Sequence, residues 1–188
     1  MKAAVTARYG PPDVVEIRQL PTPTPSAGEV LIRVHATTVS RTDCGMRQPH
    51  PWFVRLGGGL LRPKQVILGV DFAGEVEAVG SGVTAFKPGV RVFGLAPDTY
   101  GAHAQYLCMP ATEAMAAMPA GMPFSEAAVC EGAWYADTYL QAFRLARGQS
   151  MLIYGASGAI GTAAVQLAKC LGARVVAVVS TRNMNLVK

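Results

Sequence analysis

The chain reads as a mixed α/β protein: a β-rich first part, then the opening strands and helices of a doubly wound parallel unit. Three observations predict this. Short alternating or apolar runs separated by turn residues fill the first 120 or so of the 188 residues. From Ser125 the pattern changes: Glu126 to about Ala146 is rich in Ala, Leu and aromatics, without Gly after Gly132. A strand, a glycine turn, a helix and a second strand then follow at βαβ spacing.

The strand candidates come first. Ala3–Ala7, Val14–Leu20, Val30–Thr38, Glu75–Val79 and Val90–Gly94 are apolar or alternating, which suits a half-buried strand. Pro21, Pro23 and Pro25 punctuate one connection, Gly80–Gly82 another and Lys87-Pro88-Gly89 a third. Many short strands at such intervals suggest a compact barrel or sandwich. Residues Arg47–Lys64 interrupt the pattern with Pro51, Gly57–Gly59 and Pro63, and read as a long surface loop near whatever site exists.

The second part starts at a cap. Ser125 is suited to begin a helix over Glu126 to about Ala146. A strand at Ser150–Tyr154, a helix at Ala159–Leu171 with Gly172 as its C-terminal stop, and a strand at Arg174–Val179 follow. Residues 183–188 would open another helix. The expected division is therefore 1–124 and 125–188. No internal repeat or low-complexity segment interrupts either part.

Composition narrows the class. With 51% hydrophobic and 15% charged residues the chain is globular, not disordered. No apolar run approaches eighteen residues and the opening MKAAVTARYG lacks a signal-peptide core, so no membrane partner and a cytoplasmic location are the default expectations. Cys44, Cys108, Cys130 and Cys170 are scattered without paired spacing and read as reduced thiols. Charge is uneven: residues 1–137 carry eleven basic and twelve acidic side chains, whereas residues 138–188 carry six basic ones and no acid. Those six are interspersed in an apolar pattern with no aromatic platform, so nucleic acid is not expected as a partner.

The chemistry-bearing motif is MLIYGASGAIGTAAVQLAK, residues 151–169. Gly155, Gly158 and Gly161 stand three apart, with the small Ala156, Ser157 and Ala159 among them and Ile160 before the last. Absent side chains let the backbone turn tightly after a strand, approach a phosphate and pack the helix on the sheet. The new helix then turns free N–H groups and its positive dipole end toward the anion. The end of the second strand discriminates between dinucleotides. An NAD-type site places an acid there for the ribose hydroxyls. This chain instead offers Ser180, Thr181 and Arg182, hydroxyls and a guanidinium that suit a 2′-phosphate. The expected cofactor is NADP(H). An ordinary polar turn capped by Thr181 is the competing reading.

These residues resemble a known family. GQSMLIYGASGAIGTAAVQLAK with GARVVAVVSTRN is similar to the cofactor region of zinc-free medium-chain dehydrogenase/reductases, the quinone-oxidoreductase-like branch. The N-terminal segments MKAAVTARYGPPDVVEIRQLPTPTPSAGEVLIRVHATTVSRTDC, ILGVDFAGEVEAVGSGVTAFKPGVRVFG and GAHAQYL extend the likeness along almost the whole chain. The resemblance implies a GroES-like barrel leading into a Rossmann cofactor domain, with the active site in the cleft between them. Zinc-dependent relatives place a Cys-His pair after the third strand and a Gly-His-Glu at the next loop. The matching positions here read Ser40-Arg41-Thr42-Asp43 and Gly69-Val70-Asp71, so no metal is expected. His35, His50 and His103 read as isolated strand or loop residues.

Without a Lewis acid, alcohol oxidation at neutral pH is hard. The fitting chemistry is hydride delivery from NADPH to an already electrophilic acceptor, a quinone or an α,β-unsaturated carbonyl. The candidate cleft residues are Ser40, Thr42, Asp43 and Tyr135. Tyr135 lies in EGAWYADTYL, which resembles the family's stretch lining the nicotinamide, and an alternative alignment puts Thr138 there. Tyr135 has two readings, proton donor or core aromatic. Asp43 and Asp71 have two as well, cleft group or cap for nearby N–H groups. A complete dinucleotide fold uses two βαβαβ halves, of which this chain supplies two strands, so the Rossmann unit reads as incomplete. The expectations are an N-terminal portion of a reductase, a second copy or second chain completing the sheet, or an inactive relative serving as a nucleotide- or protein-binding module.

Overall fold

The computed structural model describes residues 1–187, with Val54 through its backbone alone. The chain divides into two compact units, Met1–Val129 and Cys130–Lys188.

In the first unit, β1 (Lys2–Thr6) and β2 (Val15–Gln19) form an antiparallel pair registered Lys2 against Gln19 and Thr6 against Val15. The turn Pro12–Val14 joins them and buries Val14. The main sheet is antiparallel, in the order β6 (Tyr106–Pro110), β3 (Glu29–Thr37), β4 (Asp71–Val79), β5 (Arg91–Leu95), β7 (Met115–Ala117). Two register shifts bend the β3–β4 ladder, between Leu31 and Ile32 and between Val34 and Ala36. Isolated bridges Ala3–Ala104 and Val5–Ile67 tie the β1–β2 pair to neighbouring loops. Period-two alternation turns Val30 and Ile32, Val92, and Leu107 and Met109 inward, where they close on Phe72, Val76, Ala96 and Ala102.

Five strands foreseen from the apolar runs are present, with ends shifted by up to four residues. β6 and β7 were not foreseen. The segment 47–64 is more ordered than a plain loop. The turn Trp52–Val54 runs into α2 (Arg55–Gly58), which follows α1 (Arg41–Arg47). Tyr9 Oη donates to the Gly59 carbonyl at 2.7 Å and fixes its base. Trp52, Phe53, Leu56, Leu60 and Leu61 stay exposed.

The helix expected from Ser125 is in fact two. The short α3 (Phe124–Ala127) starts after Pro123, and α4 (Glu131–Ala142) starts after Cys130. Packing causes the break. Ala127 and Ala128 are buried with Ala73 of β4, and Phe124 stacks on His35 of β3 at 4.4 Å. The chain up to Val129 therefore belongs with the sheet, five residues beyond the expected division.

In the second unit, β8 (Ser150–Tyr154) and β9 (Arg174–Val178) are parallel, registered Ser150 against Arg174. α5 (Ala159–Cys170) connects them and ends at Leu171 with Gly172 at φ +78°. Leu140 of α4, Ala168 of α5 and Ala173 form the core, with Met151 and Val175 against them. The opposite strand face is open: Leu152, Tyr154 and Val176 are exposed. After β9 a 3₁₀ segment, Thr181–Leu186, stands where another α-helix was expected. Lys188, the last residue of that expected helix, lies outside the described residues.

Candidate functional site

The glycine turn of the second unit is built by backbone. Gly155 takes φ +75°, a conformation that favours glycine, and the N–H groups of Gly155 and Ala156 both donate to the Val178 carbonyl (3.0 and 3.2 Å). Gly158 N–H donates to the Gly155 carbonyl at 3.0 Å and closes the turn. Gly158 then stands as N-cap of α5 without a side chain to occupy the site. The first bond one turn into the helix runs from Thr162 N–H to the Gly158 carbonyl at 2.8 Å. The N–H groups of Ala159, Ile160 and Gly161 precede it, with no carbonyl one turn back inside the helix. Gly161 makes the close approach. A Cβ there would sit 2.2 Å from the Gly155 oxygen and 2.7 Å from Ala156 Cα. Ala156 is fully buried under the turn, Ser157 is half-buried, and Gly158, Ala159 and Ile160 are exposed.

Ser180, Thr181 and Arg182 follow β9 after Val179 and are exposed. Ser180 stands before the 3₁₀ segment without a side-chain cap bond, and Asn183 N–H donates to its carbonyl at 2.9 Å. Asn183 Nδ2 donates to Ser157 Oγ at 2.9 Å, which joins the end of β9 to the glycine turn. Sequence reading missed Asn183, because its only signal is the fold that brings residues 26 apart together. The donor set fits a dinucleotide: unpaired helix N–H groups and a hydroxyl at the turn, and a guanidinium without an ion pair among the described residues at the strand end.

In the first unit, Ser40, Thr42 and Asp43 lie together in a capping box at the start of α1. Ser40 Oγ accepts from Thr42 N–H at 3.1 Å, and Asp43 Oδ2 accepts from Ser40 N–H at 2.8 Å. Asp43 Oδ1 accepts from Gly69 N–H at 2.8 Å, and the residue is 3% exposed. His103, which reads as isolated in sequence, is brought close through the Ala3–Ala104 bridge. Its Nε2 lies 2.8 Å from the Thr38 carbonyl and 3.9 Å from Asp43 Oδ2. Asp71 is equally buried and accepts from Thr38 Oγ1 at 2.5 Å. Val70 is buried. A cleft of about 690 Å³ opens beside these groups, lined by Ile17, Val34, Val39, Cys44, Leu68 and His103 among others. It takes in Asp43 but neither Ser40 nor Thr42.

Tyr135 lies on α4, in the second unit. It is partly exposed, outside that unit's core cluster, with its ring edge-on to Trp134 at 4.9 Å between centroids. The Thr138 hydroxyl donates back to the Trp134 carbonyl at 2.8 Å. Among the described residues no group of three His, Cys, Asp or Glu side chains is placed to hold a metal ion. Among the described residues the four cysteines form no disulfide, and Cys44 and Cys170 are exposed. Burial, with the charge of Glu29 adding to it, pushes the Cys108 thiol up to about 11.

Comparison with known proteins agrees with this architecture. Residues 26–120 match the alcohol dehydrogenase GroES-like domain. Human quinone oxidoreductase is 32% identical over 190 residues, covering 96% of this chain and 53% of that protein. The structure of quinone oxidoreductase from Coxiella burnetii superposes with a TM-score of 0.86 at 31% identity, covering 100% of this chain and 59% of that one. A mycobacterial structure described as complexed with NADPH gives a TM-score of 0.82 at 29% identity, covering 100% and 55%. The chain thus spans about half the length of the curated relatives it matches. With its sheet, its βαβ unit and these matches in agreement, the chain belongs to the alcohol dehydrogenase GroES-like family, in the quinone-oxidoreductase-like branch of the medium-chain dehydrogenase/reductases.

Proposed function

We propose that the chain supplies the N-terminal portion of an NADPH-dependent oxidoreductase that passes hydride to a quinone or α,β-unsaturated carbonyl without zinc. The observation that carries this reading is the glycine turn bonded to an acid-free strand end. Gly155, Ala156, Ser157, Gly158, Ala159, Ile160 and Gly161 would hold the diphosphate through backbone N–H groups and the Ser157 hydroxyl. Ser180, Thr181 and Arg182 would hold the 2′-phosphate, where a carboxylate would repel it.

When bound, the nicotinamide supplies the hydride. The protein's part is orientation and exclusion of water. The zinc-free reading is supported by the residues at the two positions where zinc-dependent relatives carry ligands. Ser40 has its oxygen engaged with Thr42 N–H, and Val70 is apolar and buried. An already electrophilic acceptor needs no Lewis acid, which favours a quinone or enone over an alcohol.

A second reading, a nucleotide-binding module without turnover, has its own support. Both oxygens of Asp43 accept backbone N–H bonds, so that carboxylate serves the fold. Titration of the 188-residue chain with NADPH and NADH, followed by turnover of a simple quinone, separates the two. NADPH binding with turnover supports the reductase, and binding without turnover supports the module. Arg182→Ala should weaken NADPH about tenfold and leave NADH unchanged, as expected for loss of one charge-assisted contact. Equal loss for both nucleotides would sink the 2′-phosphate assignment.

A further inference from the structure

We propose that Asn183 is a positioning residue for the dinucleotide site, acting through the Ser157 hydroxyl. The inference rests on the nucleotide reading above and goes beyond it. Ser157 occupies the centre of the glycine turn and is half-buried. Its oxygen accepts from Asn183 Nδ2 at 2.9 Å. A hydroxyl has one proton to give, and accepting from the amide directs that proton away from Asn183. That proton is then available to a diphosphate held at the helix N-terminus. Asn183 is itself held, because its N–H donates to the Ser180 carbonyl at 2.9 Å in the turn that presents Arg182. One side chain therefore couples the group facing the diphosphate to the segment facing the 2′-phosphate.

Asparagine suits this role and aspartate does not. A carboxylate at the same place would accept the Ser157 proton, reverse the hydroxyl and set a negative charge beside the phosphates. The prediction is specific to this pair. Ser157→Ala should weaken NADPH binding by roughly tenfold, the size of a hydrogen bond to a charged group. Asn183→Ala should weaken it by a comparable factor, and should add nothing in a Ser157→Ala background. Asn183→Asp, which is isosteric, should weaken it more than Asn183→Ala does.

The test measures NADPH dissociation constants by fluorescence titration of the full 188-residue chain, with the melting temperature of each variant alongside. Losses that multiply in the double variant overturn the proposal, because a merely structural Asn183 acts independently of the hydroxyl. An unchanged dissociation constant for Asn183→Asp also overturns it, and that variant carries the test if an alanine variant does not fold. Failure of the parent chain to bind either nucleotide removes the cofactor reading and this inference together. Parent binding with multiplicative losses removes this inference alone.

Discussion

Asp43 has both carboxylate oxygens committed, one to Ser40 N–H and one to Gly69 N–H, with 3% of the residue exposed. Truncation would leave two N–H groups without that acceptor, one of them buried. At about 1–3 kcal/mol for an orphaned buried group, Asp43→Ala should cost the first unit roughly 2–4 kcal/mol. Thermal or urea unfolding measures this, and a loss under about 0.5 kcal/mol would show that the two bonds do not hold α1 to the loop at Gly69. The residue pattern announced half of this arrangement. Ser40 followed three residues later by an acid is visible in sequence as a cap, which is one of the two readings of Asp43. Its second partner, Gly69, and its neighbour His103 are 26 and 60 residues away, and no local spacing marks them. The same holds for Asn183, whose partner Ser157 is set by the βαβ register.

At the scale of elements, the strand–turn–helix is held together by the contact between α5 and its own glycine turn. A Cβ at Gly161 would meet the Gly155 oxygen at 2.2 Å, whereas one at Gly158 would lie 3.5 Å from that same oxygen. Gly161→Ala must push the helix off backbone atoms, which cannot rotate away, and should destabilise the second unit by about 1–3 kcal/mol. Gly158→Ala should cost no more than about 1 kcal/mol, the difference between glycine and alanine as an N-cap. Urea titration of the two variants decides this, and equal losses would contradict the packing argument. β8, α5 and β9 were legible to within a residue because Gly155, Gly158 and Gly172 mark the turns between them. β6 and β7 were not, since Tyr106–Pro110 and Met115–Ala117 are short and take their identity from β3 and β5. The break between α3 and α4 likewise comes from burial of Ala127 and Ala128 against Ala73, a tertiary contact that overrides helix propensity.

For the whole molecule, the two units differ in how their strands are supported. The first has a five-stranded antiparallel sheet with β3 and β4 paired on both sides over a buried cluster. The second has two parallel strands whose outer face carries exposed Leu152, Tyr154 and Val176. A two-stranded sheet is marginal by itself and depends on the helices packed on it. Hydrogen exchange should therefore be slowest in β3 and β4, with β8 and β9 exchanging at least tenfold faster. Addition of NADPH should slow exchange selectively at residues 155–162 and 178–183, because a ligand stabilises the state it binds and the segments that contact it. Protection arising only in β3 and β4 would place the nucleotide elsewhere. Uniform protection along the chain before any ligand is added would mean that the second unit is held by more than the contacts within it. Selective protection at both segments at once would show that the glycine turn and the end of β9 act as one binding surface, the coupling that the Asn183–Ser157 bond supplies.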